Sequence, residues 1–218
     1  MAYGIRVESN SGFTQIDQDF VNYVLVASGS LTFTGGFGGN PDSKTVNFGA
    51  LVNTNDTIVF ARPLTMGVGL IGYSNATTAT IIATAPTTVQ WRVYERSNSL
   101  TPPASGYGLN VFRPDSSLAF SSQYNPPRIF SRLESAPAFS VGTVSHSYTE
   151  IPFALMQNGY EWIFFPEDDP IPNTIYYMAV FWSTNQLSVE GWAYDTFDEY
   201  NGVFWQLTGV RAWAFIQG

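Results

Sequence analysis

Apolar and polar residues of this 218-residue chain alternate in short runs with a period near two, separated by Asn, Asp, Ser, Gly and Pro. That alternation predicts half-buried strands, since successive side chains of a strand face opposite ways. Strands are predicted at 22–28, 45–52, 57–61, 68–72, 77–84 and 87–95, and again at 139–148, 160–165, 174–182, 187–194, 203–207 and 210–216. Between them lie turn signals such as Asn55-Asp56, Ser74-Asn75 and Ala85-Pro86. Over 88–95 the pattern sets Val89, Trp91 and Val93 on one face and Gln90, Arg92 and Tyr94 on the other, as for a strand with one covered side. The Gly-rich stretch 35–40 is expected to be an exposed loop. Strands at this spacing predict an all-β protein, a sandwich-like assembly of antiparallel strands.

One hairpin design is used twice. Tyr3-Gly4-Ile5-Arg6-Val7 returns 104 residues later as Tyr107-Gly108-Leu109-Asn110-Val111. At the same offset Ile16 meets Phe120, Phe20 meets Tyr124, Leu25 meets Ile129 and Val26 meets Phe130. Each copy reads as a strand, a polar turn and a second strand, the turns being Ser9-Asn10-Ser11-Gly12 and Arg113-Pro114-Asp115-Ser116. The expectation is two related, hairpin-containing halves whose hairpins superpose, with Ile5 and Leu109 on corresponding buried faces. The Pro- and Ser-containing stretch 99–106 is the linker candidate between an N-terminal β domain, 1–98, and a C-terminal β domain, 107–218, which are also compatible with packing as one unit.

These residues carry a family resemblance. The segments Ala2-Tyr3-Gly4-Ile5-Arg6-Val7 and Gly12-Phe13-Thr14-Gln15-Ile16-Asp17, and later 105–115 followed by Leu118-Ala119-Phe120, resemble small tail proteins of tailed bacteriophages. In that group a Tyr-Gly strand, a turn and an alternating strand recur. The resemblance spans about 40 residues in two pieces and brings no active-site motif. It implies a virion component of the tail tip, baseplate or fibre, made in the host cytoplasm and assembled around a symmetry axis.

Composition narrows the partners. Only 12% of residues are charged, there is one lysine, Lys44, and strong surface helix formers are scarce, while aromatic residues reach 16%. A net charge of −8 without any basic run argues against nucleic acid as a partner. Residues 1–159 hold nine acids and eight bases, whereas 160–218 hold eight acids and one base, Arg211. No cysteine is present, so disulfides and thiolate chemistry are excluded. The first residues lack the pattern of a signal peptide, and no apolar run reaches the length of a membrane-spanning helix, so membrane insertion is not expected.

Catalytic motifs are sparse. His146, the single histidine, sits between Ser145 and Ser147, and neighbours on a strand point to opposite faces, so a Ser/His pair is not formed there. Glu161, Glu190, Asp195, Asp198 and Glu199 lie among aromatics and are the carboxylates from which a glycosidase pair would come. The equally direct reading of 190–201 is a β core segment ending in an acidic turn. Glu167-Asp168-Asp169 offers oxygen ligands to calcium but sits between Pro166 and Pro170 without further spaced ligands, so neither metal nor cofactor is expected. Asn75-Ala76-Thr77 is read as a turn.

Aromatic density is the feature that points to function. Between Tyr160 and Phe215 there are 16 Phe, Trp and Tyr residues, including five of the six tryptophans. Such residues serve cores and partner-facing surfaces alike. The interface or ligand candidates are Trp192, Tyr194, Tyr200 and Trp205. The expected function is structural and non-enzymatic, through copies of the chain in a symmetric oligomer and through other tail proteins. Two alternatives stay open: a module binding host glycan or receptor, and a glycan-degrading tail enzyme.

Overall fold

The computed structural model describes residues 6–8, 14–17, 22–35, 42–49, 56–101, 107–127, 129–135, 142–145, 150–156, 161–164, 173–183, 186–197 and 211–216. The fold is all-β. In chain order the strands are β1 (Arg6–Glu8), β2 (Thr14–Asp17), β3 (Tyr23–Phe33), β4 (Asp42–Asn47), β5 (Thr57–Pro63), β6 (Gly69–Ser74), β7 (Thr78–Ala83) and β8 (Thr87–Arg96). After a 3-10 turn at Ser97–Ser99 come β9 (Asn110–Phe112), β10 (Leu118–Ser121), β11 (Ile129–Ser135), β12 (Gly142–Ser145), β13 (Phe153–Leu155), β14 (Glu161–Phe164), β15 (Asn173–Ser183), β16 (Gln186–Phe197) and β17 (Arg211–Ile216). No described helix is long and apolar enough to cross a membrane.

Two large antiparallel sheets face each other. The six-stranded sheet has the order β11-β17-β13-β5-β8-β3, and the seven-stranded sheet the order β12-β16-β15-β6-β7-β4, with β14 added to β15. Both orders are palindromes. Reading inward from either edge of the first sheet meets β3, β8, β5 or their counterparts β11, β17, β13. In the second sheet β4, β7 and β6 correspond in the same way to β12, β16 and β15. The chain is therefore two copies of one unit, arranged about a pseudo-two-fold axis that passes between β5 and β13 and between β6 and β15, and strands from either side of 99–106 share both sheets.

Register bears this out at the level of single residues. Arg6↔Asp17, Val7↔Ile16 and Glu8↔Thr14 of the first hairpin become Asn110↔Ser121, Val111↔Phe120 and Phe112↔Leu118 of the second, with the register shift at the same step. The likeness continues past the hairpins. A bulge follows Leu25↔Tyr94 in β3–β8, and one follows Ile129↔Ile216 in β11–β17, making Val26 and Phe130 the counterpart extra residues. Trp91 opposite Gly29 then corresponds to Trp213 opposite Leu133. In the central strands Ile58↔Tyr94 matches Phe153↔Ile216, so Phe60 and Leu155 are counterparts. They are also paired with each other, which puts the axis between them.

The hydrophobic pattern explains why both sheets form. Odd-numbered residues of β5 and β8, among them Val59, Ala61, Val89 and Val93, meet Leu70, Ala79, Ile81, Val180 and Trp182 of the other sheet in one core. The buried Trp182 indole donates to the Pro152 carbonyl oxygen at 2.8 Å, tying β15 to the segment before β13. Gly72 is required at the axis, because a Cβ there would stand 2.7 Å from Met156 Sδ.

The other face of the six-stranded sheet is buried as well. Phe60, Tyr94, Phe153 and Ile216 form a second cluster on its far side, with Tyr23, Leu25, Ile58 and Leu155 against it. Tyr94 is 1% exposed, so the expectation that β8 has one covered side is corrected. Coiling of the sheet accounts for this. Leu25 N–H donates to the Asn125 carbonyl at 3.0 Å, and β11 starts only four residues after Asn125. Four residues reach at most about 14 Å, whereas the edges of a flat six-stranded sheet stand about 24 Å apart. The starts of β3 and β11 must therefore converge over that face.

Several boundaries differ from the sequence-based expectation. β11 and β13 were not predicted as strands, and β3 runs five residues further than expected. The strand expected at 203–207, the loop at 36–40 and His146 lie outside the described residues. Leu109 is 44% exposed, which corrects its expected burial; Val111 is the buried residue of β9. The second hairpin docks through Val111, Leu118, Ala119 and Ser121, while Leu109, just before β9, is bonded to Ser122 at the outer end of the hairpin.

The hairpin turn gives a stability test. Ser116 N–H donates to Arg113 O at 3.0 Å, Arg113 N–H to Ser117 O at 2.9 Å, and Ser116 has φ 67°. A non-glycine residue in that left-handed conformation costs about 1 kcal/mol. At the offset of 104 the first hairpin has Gly12 in this place. Ser116→Gly is expected to raise the unfolding free energy by about 1 kcal/mol. Urea denaturation checks it, and an unchanged or lowered midpoint contradicts the turn geometry.

Candidate interaction surface

The second copy departs from the first most clearly in one place. β6 and β7 are six residues each, whereas their counterparts β15 and β16 are 11 and 12 residues. β6 pairs with β15 at Val180↔Leu70 and Phe181↔Gly69, and β14 pairs further along β15, from Glu161↔Tyr177 to Phe164↔Thr174. The result is a three-stranded extension, β14-β15-β16, with no counterpart among the described strands of the first copy.

The extension is rich in aromatic positions. Trp192 lies opposite Tyr177, which lies opposite Glu161; Tyr176 lies between Trp162 and Ala193. Pairing shifts from Ile175↔Asp195 to Tyr176↔Ala193, so Tyr194 is the extra residue of a bulge. Bulges bend a strand and re-aim what it carries. Of the four residues singled out from the sequence, the structure brings Trp192 and Tyr194 onto this extension, while Tyr200 and Trp205 lie outside the described residues.

The carboxylates divide similarly. Glu161 and Asp195 stand on the outer strands of the extension, and Glu190 lies further along β16 opposite Ala179. Asp198, Glu199 and the acidic run 167–169 lie outside the described residues. Among the described residues no group of three or more His, Asp or Glu is placed to hold a metal ion.

A second surface was missed from sequence. Tyr107 is fully exposed and Leu109 and Phe112 nearly half so, on and beside β9. Apolar residues of both parities in Leu109-Asn110-Val111-Phe112 were the available signal, since a strand with one wet face alternates. This hairpin is held by polar contacts with the first copy. Buried Ser97 Oγ donates toward the Leu118 and Ala119 carbonyls at 3.1 and 2.7 Å, and the Asn22 side-chain amide donates to Ala119 O at 3.1 Å. The turn Asn75–Thr78 matches its sequence reading: Asn75 Oδ1 accepts from Thr77 N–H and Thr78 N–H at 2.8 and 2.7 Å.

Beside the docked hairpin, one ionic group ties three strands together. Tyr23 OH donates to Asp56 Oδ1 at 2.6 Å, and Arg96, opposite Tyr23, bridges to the other Asp56 oxygen. Burial first, then the bond to Asp56, raises the Tyr23 pKa above its usual value of 10.0. The bond to Tyr23 is the main cause that raises the Arg96 pKa. Burial also raises the Tyr94 pKa.

Comparison with protein-family models, with curated proteins and with solved structures returns no match to this chain.

The tyrosines fix an alkaline limit. A phenol whose folded pKa lies above its unfolded one favours folding fully below the unfolded value, and that contribution is lost as pH rises through the folded value. Stability should thus hold up to about pH 10 and fall above it. Tyr23→Phe should cost about 1 kcal/mol at neutral pH, the scale of one hydrogen bond, and soften the alkaline fall. Urea melts from pH 7 upward measure both; an alkaline slope identical in the variant excludes Tyr23 as a source.

Proposed function

We propose that this chain is a structural virion protein of a phage tail, at the tip, baseplate or fibre, acting by binding and not by catalysis. Its partners are copies of itself and neighbouring tail proteins, and host attachment is a further use of the same surfaces. The observation that carries the binding reading is the β14-β15-β16 extension. A duplicated scaffold that departs from its own repeat in a long aromatic hairpin has added strand where the first copy has only the short connections 64–68 and 84–86, and rigid Trp and Tyr side chains supply much of the energy of protein interfaces. The tail assignment rests on the resemblance of the Tyr-Gly segments, and it is supported by their forming the same hairpin in the same register.

Co-expression with the products of adjacent reading frames tests the reading, followed by mass spectrometry of purified particles. A complex of fixed stoichiometry and presence in the particle are expected. Trp192→Ala should weaken assembly or attachment by roughly 1 to 4 kcal/mol, while the binding reading expects Asp198→Asn to change little, since single charges contribute little beside buried aromatic anchors. Cleavage of host glycan abolished by Asp198→Asn, with assembly intact, would overturn the structural reading in favour of an enzyme. Glycan binding by a chain that joins no tail complex would favour the carbohydrate module.

A further inference from the structure

We infer that strand β3 is a self-association edge, at which residues 27–33 of one copy pair antiparallel with the same residues of a second copy. Four strands end the two sheets: β3 and β11 on one, β4 and β12 on the other. Edges are normally blunted by charge, proline or shortness. β4 carries Asp42 and Lys44, β11 carries Arg132 and Glu134, and β12 has only four residues. β3, Tyr-Val-Leu-Val-Ala-Ser-Gly-Ser-Leu-Thr-Phe, has 11 residues with neither charge nor proline.

Its geometry fits an open template. The bulge at Val26 lies at the end where Asn125 already bonds Leu25, and beyond it each residue from Ala27 to Phe33 is matched one to one with β8. Ser28, Gly29, Ser30 and Thr32 are exposed, and among the described residues this stretch is paired on its β8 side alone. At Gly29 the Trp91 ring lies across the strand, 2.5 Å from where a Cβ would stand, so glycine lets the ring cover the backbone there.

The second copy is the occupant for three reasons. A strand without charges is complementary to itself, and identical strands paired antiparallel generate a closed two-fold contact. The strand belongs to residues 1–159, where nine acids nearly balance eight bases, so like-charge repulsion opposes the approach little. The fold also already joins its two copies by antiparallel pairing of β5 with β13 about an axis, and β3 would repeat that contact at the outer edge. The inference deepens the assembly reading above and rests on it for the existence of an assembled state.

Sedimentation from low to high micromolar concentration, with the full chain, is the test. A dimer is expected, and Ser30→Lys should weaken it at least tenfold while Ser43→Lys on β4 leaves it unchanged. Because the chain has no cysteine, Ser30→Cys gives a single thiol at the centre of the pairing, and mild oxidation should cross-link it where Ser43→Cys does not. An oligomer whose size is the same in Ser30→Lys, with no cross-link in Ser30→Cys, overturns the edge and leaves the assembly reading standing. A chain that is monomeric throughout but takes up a strand of another tail protein overturns the second copy as occupant. A chain that is monomeric and binds no tail protein overturns both readings.

Discussion

Everything in this fold is arranged around one short antiparallel contact, β5 with β13, in which Phe60 faces Leu155. β13 is three residues long, yet it joins the two halves of the six-stranded sheet. Met156 N–H continues the contact by donating to Val59 O at 2.7 Å. Its alternate residues serve both sides of the sheet: Ala154 and Met156 enter the core between the sheets, and Phe153 and Leu155 the cluster on the far side. A strand buried on both faces cannot slip by one residue without turning each set of side chains into the wrong environment, so register here is strongly specified. The positions of β17 and β11, which extend the sheet from β13, follow from it.

The far-side cluster shows what coiling achieves. An open sandwich leaves the outer faces of its sheets to water, and Phe60, Tyr94 and Phe153 there would be costly. Convergence of the starts of β3 and β11 turns that face inward, and the Phe60 and Tyr94 rings meet edge to face with centroids 5.7 Å apart. Arg62 and Arg92 sit over Phe153, with guanidinium carbons 4.5 and 4.2 Å from its ring centre. Arg62 is itself held by Gln90, Glu150 and the Ile151 carbonyl. Flat cation–ring contacts of this kind let a charged side chain cover apolar surface while its donors stay satisfied.

Much of the architecture was legible in the sequence, but only where the repeat kept step. The offset of 104 holds from the Arg6–Asn110 match to the Gly29–Leu133 match, which is why the twin hairpins and the Leu25–Ile129 match could be read directly. It then drifts: the offset falls to 95 at Ile58 and Phe153, because the second copy is shorter between β11 and β13, and rises to 122 at Tyr94 and Ile216, because that copy carries β14 and a longer β15–β16 hairpin. A search at a fixed offset loses the match there. Trp91-Arg92-Val93-Tyr94 against Trp213-Ala214-Phe215-Ile216 was the signal that could have recovered it. β13 escaped because three residues hold too little pattern to separate strand from loop, and β11 because Arg132 and Glu134 interrupt its apolar alternation. Trp192 and Tyr194 were legible as aromatics, but their place in an elongated hairpin depends on β14 pairing with β15, a non-local fact.

The residues along the axis also explain how two copies in one chain can diverge. In a symmetric dimer of separate chains, a residue beside the axis meets its own twin, so any change alters both sides of the contact at once. Linkage in one chain removes that restriction, since each position has two independent residues and the partner is always at hand. Here Phe60 meets Leu155 where a dimer would pair identical residues, Ile58 has Phe153 as its counterpart, and Tyr94 has Ile216. Large and small alternate between the copies, which lets the cluster fill without two bulky rings competing for one place. The same freedom applies elsewhere: Arg92, stacked on Phe153, has Ala214 as its counterpart, and the six-residue strands β6 and β7 have the longer β15 and β16. With the β5–β13 pairing in place, the second copy could lengthen β15 and β16 at the end away from their connecting turn without disturbing the contact on which both halves depend.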